Sequence, residues 1–197
     1  MGSIVRHFYR RWVLASFGGW LLGIVVILLL AAVLEAVGIQ GQSVLGIGMG
    51  MCVGYAQLRV GLKHFGATSR WMWASGVGMG APFVLSDVLG ALGMQWHGAE
   101  LLVLPLHAAF GGLLTGVWQR RALPSGSPLV GYRWVAASTG GWVLAVATFI
   151  LMAVPGHPNS ALDAWRNVGS LALGGLVLGL VTGGALVRML PSPSPAA

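Results

Sequence analysis

Acidic residues are almost missing from this chain. Glu35, Asp87, Glu100 and Asp163 are the only four in 197 residues, and all charged residues together make 8%. Soluble domains carry about 25% charge, so a soluble enzyme or a disordered tail protein is excluded. Cysteine is scarcer still. Cys52 stands alone, which removes any intrachain disulfide, CxxC redox pair or thiolate metal site. Paired carboxylates, glycine-rich phosphate loops and His-x-x-x-His patterns are lacking too, and with them the usual signatures of several enzyme classes. The sequence gives no reason to expect a metal, a cofactor or a catalytic residue.

What is plentiful is apolar length. Hydrophobic residues make up 56%, gathered in runs at about 12–34, 43–62, 71–93, 100–119, 134–154 and 167–190. Each is near the roughly 20 residues that span a hydrocarbon core. Arg6, Arg10 and Arg11 precede the first run as they would in a secretory signal. That run is longer than a signal's apolar stretch and no small-x-small site follows it, so it reads as an uncleaved span. The single six-helix transmembrane domain extends over 1–190, and Pro191 to Ala197 read as a disordered Pro/Ser tail.

The charges orient the spans. Ten of the eleven basic residues fall on one side, with only Arg166 opposite, while the four acids fall toward the other. The positive-inside rule then places both termini in the cytoplasm. The net charge of +7 is explained by this topology and by attraction to anionic headgroups. Nucleic acid is not an expected partner, because no basic run is interleaved with aromatics.

A repeat organises the chain. Spans one, three and five begin Arg11-Trp12-x-x-Ala15-Ser16-x-x-Gly19, Arg70-Trp71-x-x-Ala74-Ser75-x-x-Gly78 and Arg133-Trp134-x-x-Ala137-Ser138-x-x-Gly141. The even spans end Gly50-x3-Gly54-x4-Arg59, Gly112-x3-Gly116-x4-Arg121 and Gly179-x3-Gly183-x4-Arg188. The expected fold is all-α and polytopic: six transmembrane helices as three parallel hairpin repeats, at about 11–62, 70–121 and 133–190. Small residues four apart share a helix face and let membrane helices approach closely. Ala15, Gly19, Gly50, Gly54 and their equivalents are therefore expected to zip each hairpin together. Trp12, Trp71 and Trp134, each beside an arginine, read as an inner interfacial belt with Trp118, and Trp96 and Trp165 as an outer one. Trp20 and Trp142 are expected to fill space opposite glycines.

The Trp134, Ser138, Gly141, Trp142 pattern, with Gln119 and Arg121 before it, resembles uncharacterised bacterial integral membrane proteins built of such hairpin repeats. The resemblance covers most of the chain and implies a fold and a location in a bacterial inner membrane, with no activity. The middle hairpin departs from it, with Met79 where the others have tryptophan.

Residues that break the repeat are the functional candidates. Asp87 stands where the other hairpins have Leu28 and Ile150, and His107 where they have Leu45 and Gly174. Pro82 and Pro105 interrupt the same two helices. A carboxylate and an imidazole in the bilayer face a bundle interior, a wet cavity or each other. Both are ten residues from His97, so an Asp87–His107 pair at equal depth is expected. With carbonyls freed by Pro82 and Pro105, it would make a small polar pocket for a ligand or proton. The alternative is a structural lock or a hydrated boundary. A rhomboid-like Ser–His dyad at Ser75 lacks its Gly-x-Ser-Gly context, and the last span has no histidine.

Two readings follow. In the first, a non-enzymatic accessory or scaffold subunit packs on membrane protein partners, or on its own copies, through its glycine and tryptophan faces. In the second, a small-solute carrier or binding subunit uses the polar site of the middle hairpin.

Overall fold

The computed structural model describes residues 3–39, 41–94, 100–123, 128–152 and 160–189. Among them the chain forms α1 (Ser3–Ala36), α2 (Ser43–Phe65), α3 (Ser69–Ala91), α4 (Glu100–Gln119), α5 (Pro128–Met152) and α6 (Ala161–Met189). A single 3-10 turn, Arg120–Ala122, follows α4. Trp96, His97, His157 and the tail from Pro191 lie outside the described residues. With no water in a bilayer to bond to, an apolar run this long satisfies its own backbone by coiling.

Five of the described helices are long and apolar enough to cross a membrane: α1, α3, α4, α5 and α6. α2 has the length, at 23 residues. Its hydropathy is diluted by Gly46, Gly48, Gly50, Gly54, Gln57 and Arg59. Helix ends follow local chemistry. α2 stops at Gly66, whose φ of 68° suits a residue without Cβ and whose N–H returns to the Gly61 carbonyl. α6 starts from a reciprocal cap. Ser160 Oγ accepts from the Asp163 N–H at 3.1 Å and donates to Asp163 Oδ2 at 2.8 Å.

Each helix packs on its sequence neighbours, and α6 returns to α1, so the six close into a ring. Two layers of buried side chains fill the axis. At the arginine end stand Trp12, Trp71 and Trp134 with Phe8, Leu58, Leu123 and Leu186. About two turns further in stand Trp20, Met79 and Trp142 with Val53, Ala108, Ala145 and Leu178.

The first layer corrects the interfacial-belt expectation. Trp12, Trp71 and Trp134 are each no more than 1% exposed and pack on one another across the axis. Ring centroids lie 5.8 Å apart for Trp12–Trp71, 6.3 Å for Trp12–Trp134 and 5.2 Å for Trp71–Trp134. The neighbouring arginine marks the depth of each tryptophan, while helix rotation turns the ring inward. Trp118 and Trp165, by contrast, are 40% and 73% exposed.

The small residues also divide differently from expectation. A Cβ added at Gly19 would sit 2.8 Å from Ala56 on α2, and one at Gly78 would sit 2.6 Å from the Thr115 nitrogen on α4. At Gly141 it would meet Leu178 of α6 at 3.1 Å. These contacts lie within hairpins. The glycines of the even helices face the next hairpin instead: Gly50 and Gly54 meet Met79 and Ser75 on α3. Gly112 and Gly116 meet Thr139 and Val135 on α5, and Gly179 and Gly183 meet Val13 and Trp12 on α1. A helix in a closed ring has two neighbours, so it needs a close-packing face on each side. Ala15 and Ala137 are only half-buried and Ala74 is buried, while Ser16, Ser75 and Ser138 are all at most 2% exposed. The inward-facing positions are thus Trp, Ser and Gly at i, i+4 and i+7.

Candidate functional site

A polar belt lies between the two aromatic layers. Gln57 on α2 donates from Nε2 to Ser16 Oγ on α1 at 3.0 Å, and its Oε1 accepts from Trp71 Nε1 on α3 at 3.3 Å. One amide thereby ties three helices. Gln119 on α4 donates to Ser75 Oγ on α3 at 2.8 Å, and Ser75 donates to the Trp71 carbonyl at 3.0 Å. Ser138 on α5 donates to the Gly112 carbonyl at 2.9 Å, and Trp12 Nε1 donates to Thr182 on α6 at 3.0 Å. Every group here is buried, where an unmade hydrogen bond is costly. Trp134 Nε1 is the exception, buried without a hydrogen-bond partner among the described residues.

Beyond the second layer the ring is hollow. A partly enclosed cavity of about 250 Å³ lies on the axis, and all six helices wall it. Trp20, Met49, Phe83, Ala108, Trp142 and Leu171 represent them in chain order. The wall is apolar throughout. Of its two indoles, Trp20 donates from Nε1 to the Leu171 oxygen at 2.8 Å, while Trp142 Nε1 has no hydrogen-bond partner among the described residues. Trp20 and Trp142 lie 5.7 Å apart at the floor, so the belt and the tryptophan plug separate the cavity from the arginine end.

Met79 explains why there is room. It fills the position held by Trp20 and Trp142 in the other hairpins, between Gly50 on α2 and Gly111 on α4. A third indole there would occupy the axis. The departure from the repeat therefore falls on the cavity wall.

The expected Asp87–His107 pair is replaced by two separate arrangements. Asp87 accepts from the backbone N–H groups of Gln42 at 2.7 Å and Ser43 at 2.9 Å, capping the start of α2. His107 is buried and its Nε2 lies 2.7 Å from Ser86 Oγ, while Nδ1 lies 2.6 Å from the Val103 carbonyl. A carbonyl only accepts, so the proton of the neutral ring is on Nδ1 and Ser86 donates to Nε2. Consecutive helix residues point about 100° apart. α3 lies between α2 and α4, so Asp87 reaches one neighbour and Ser86 the other. Pro82 and Pro105 sit inside α3 and α4, which stay helical through both. None of Asp87, His107, Pro82 and Pro105 lines the cavity. Phe83 stands between, its ring 4.5 Å from that of His107.

Sequence reasoning missed Gln57, Thr182 and the serines as the interior belt. The signal was available: Ser16, Ser75 and Ser138 belong to the repeat, and a repeated hydroxyl in an apolar run calls for a buried partner. Among the described residues, no group of three His, Cys, Asp or Glu side chains stands close enough to hold a metal ion. The chain matches no family model, no curated protein and no solved structure.

Proposed function

We propose that this is a non-enzymatic multi-pass membrane protein that holds a small apolar solute in the axis of its helix ring. In this reading α2 crosses the bilayer with the other five helices, as three parallel hairpin repeats with both termini in the cytoplasm of a bacterial inner membrane. Closure of α6 onto α1 and the matched Trp, Ser and Gly contacts support the repeats. The one-sided arginines support the orientation.

The observation that carries the function is the cavity of about 250 Å³ walled by all six helices. A cavity of about 150 Å³ lined by Leu, Ile and Phe holds benzene. The larger one suits a short alkyl chain or a fused pair of rings. Its wall is almost wholly apolar, so it selects against any solute that would bury several polar groups there. The aromatic plug makes it a binding site closed toward the arginine end, so carriage would need that plug to open. The accessory-subunit reading draws on glycine and tryptophan faces, and most of these are taken up by contacts within the ring.

Native mass spectrometry after mild extraction from the source membrane tests the choice. The expected result is a 20.5 kDa chain with a small apolar adduct. Met79→Trp, which restores the repeat and fills the axis, should abolish the adduct, and the milder Ala108→Leu should reduce it. A chain without adduct, held in a larger assembly of defined proteins, would overturn binding in favour of the accessory subunit.

A further inference from the structure

We propose that the middle hairpin carries a built site for one anionic phospholipid, with Arg70 and Arg121 on its phosphate and Trp73 and Trp118 beside them. The proposal rests on the arginine end lying at headgroup level, as in the reading above. A groove of about 650 Å³ opens between the start of α3 and the end of α4, lined by these four side chains with Thr68 and Val77. Both arginines are exposed, and among the described residues neither has an ion pair or hydrogen bond. A planar guanidinium matches phosphate oxygens in pairs, so two at one mouth make a strong phosphate clamp.

The aromatic pair singles out this hairpin. The basic residues recur in all three, as Arg11 and Arg59, Arg70 and Arg121, Arg133 and Arg188. Trp73 is 56% exposed and Trp118 40% exposed, yet their equivalents are Leu14 and Ala136, and Ala56 and Ala185. Packing inside the ring does not call for these two indoles. At a lipid boundary their amphipathic rings sit beside headgroups.

A second groove supplies the place for an acyl chain. It runs along α2 and α3, encloses about 610 Å³ and is lined by Trp73, Val77, Gly80, Val84 and Val88 among other apolar residues. Trp73 and Val77 line both grooves, so the charged mouth continues into the apolar trough. From Val77 to Val88 the helix rises about 16 Å. That is close to half of a hydrocarbon core about 30 Å thick, the depth of one acyl chain.

The test uses the delipidated full chain, reincubated with equal parts phosphatidylcholine and phosphatidylglycerol and read by native mass spectrometry. One phosphatidylglycerol should be retained under activation that strips phosphatidylcholine. Retention should fall about tenfold in the double variant Arg70→Gln/Arg121→Gln, as two charge-assisted contacts are lost. Trp73→Ala/Trp118→Ala should weaken it as well. Arg11→Gln/Arg59→Gln, the same charge change in the first hairpin, should leave it intact. Equal loss in the two arginine pairs would reduce the site to a general basic belt and overturn it. Displacement by inorganic phosphate would identify a soluble-anion site and overturn the lipid. An alkaline carbonate wash separates the readings: a chain that stays in the membrane pellet but retains no phosphatidylglycerol fails this proposal alone.

Discussion

The two halves of the ring use the same six helices and solve opposite problems. At the arginine end, three indoles and a belt of Gln, Ser and Thr fill the axis, and glycines bring neighbouring backbones together. In the other half the helices stand around an apolar hollow, and polar side chains are pushed to its outside. Membrane helices gain nothing by hiding apolar surface from lipid, so they associate where packing and hydrogen bonds are dense. The arginine half holds the ring closed, which leaves the other half free to stand around a cavity. In the proposed reading, stability and binding thus fall at different depths of one structure.

Glycine substitution should break that contrast most strongly. At Gly54 a Cβ would lie 2.6 Å from that of Ser75 and 3.0 Å from the Met72 backbone. Gly54→Leu forces α2 away from α3 and should cost about 3 kcal/mol or more, the upper range for overpacking. Gly140, with nothing within 4 Å of an added Cβ, is the control. Gly140→Ala should leave the protein unchanged or stabilise it by up to about 1 kcal/mol through helix propensity. Denaturation in mixed micelles measures both. Equal losses at the two positions would mean that the close approaches in the arginine half do not hold the ring.

The second contrast sets Asp87 against the cavity. Removing a capping side chain costs about 0.5–2 kcal/mol. Asp87→Ala strips the acceptors from the N–H groups of Gln42 and Ser43 and should lose that much stability. The apolar adduct should stay at wild-type occupancy, because Asp87 lies off the cavity wall. Loss of the adduct with unchanged stability would return the ligand site to the middle hairpin's polar residues.

How much of this could be read beforehand depended on what each signal encodes. Span length, one-sided charge and the Trp-Ser-Gly spacing give helices and their small-residue faces, because those are periodic and local. Which neighbour a face meets is a property of the closed ring. Gly50 and Gly54 carry no mark that they pack on α3 and not α1. Counting from His97 puts Asp87 and His107 at equal depth, yet depth leaves rotation open. One residue of helix, from Asp87 to Ser86, turns the partner from α2 to α4. The cavity was written as an absence, Met79 in place of a tryptophan, and an absence has meaning only once the axis is known.

The smallest expected difference lies inside the tryptophan plug. Trp12 donates to Thr182 at 3.0 Å and Trp71 to Gln57 at 3.3 Å, while Trp134 Nε1 has no acceptor among the described residues. Hydrogen bonds between membrane helices are worth about 0.6 kcal/mol on average. Trp12→Phe loses that bond along with some ring contact. Trp134→Phe loses the contact but releases a buried, unpaired donor, whose desolvation costs about 1–3 kcal/mol. The two changes remove the same atoms from equivalent positions, so the lost packing largely cancels in the comparison. Trp134→Phe should therefore be the milder by about 1 kcal/mol or more, read as a shift in denaturation midpoint under identical micelle conditions. If both substitutions cost the same, the Trp134 donor is paired in the folded protein, and the three indoles are closer to symmetry than their hydrogen bonds imply.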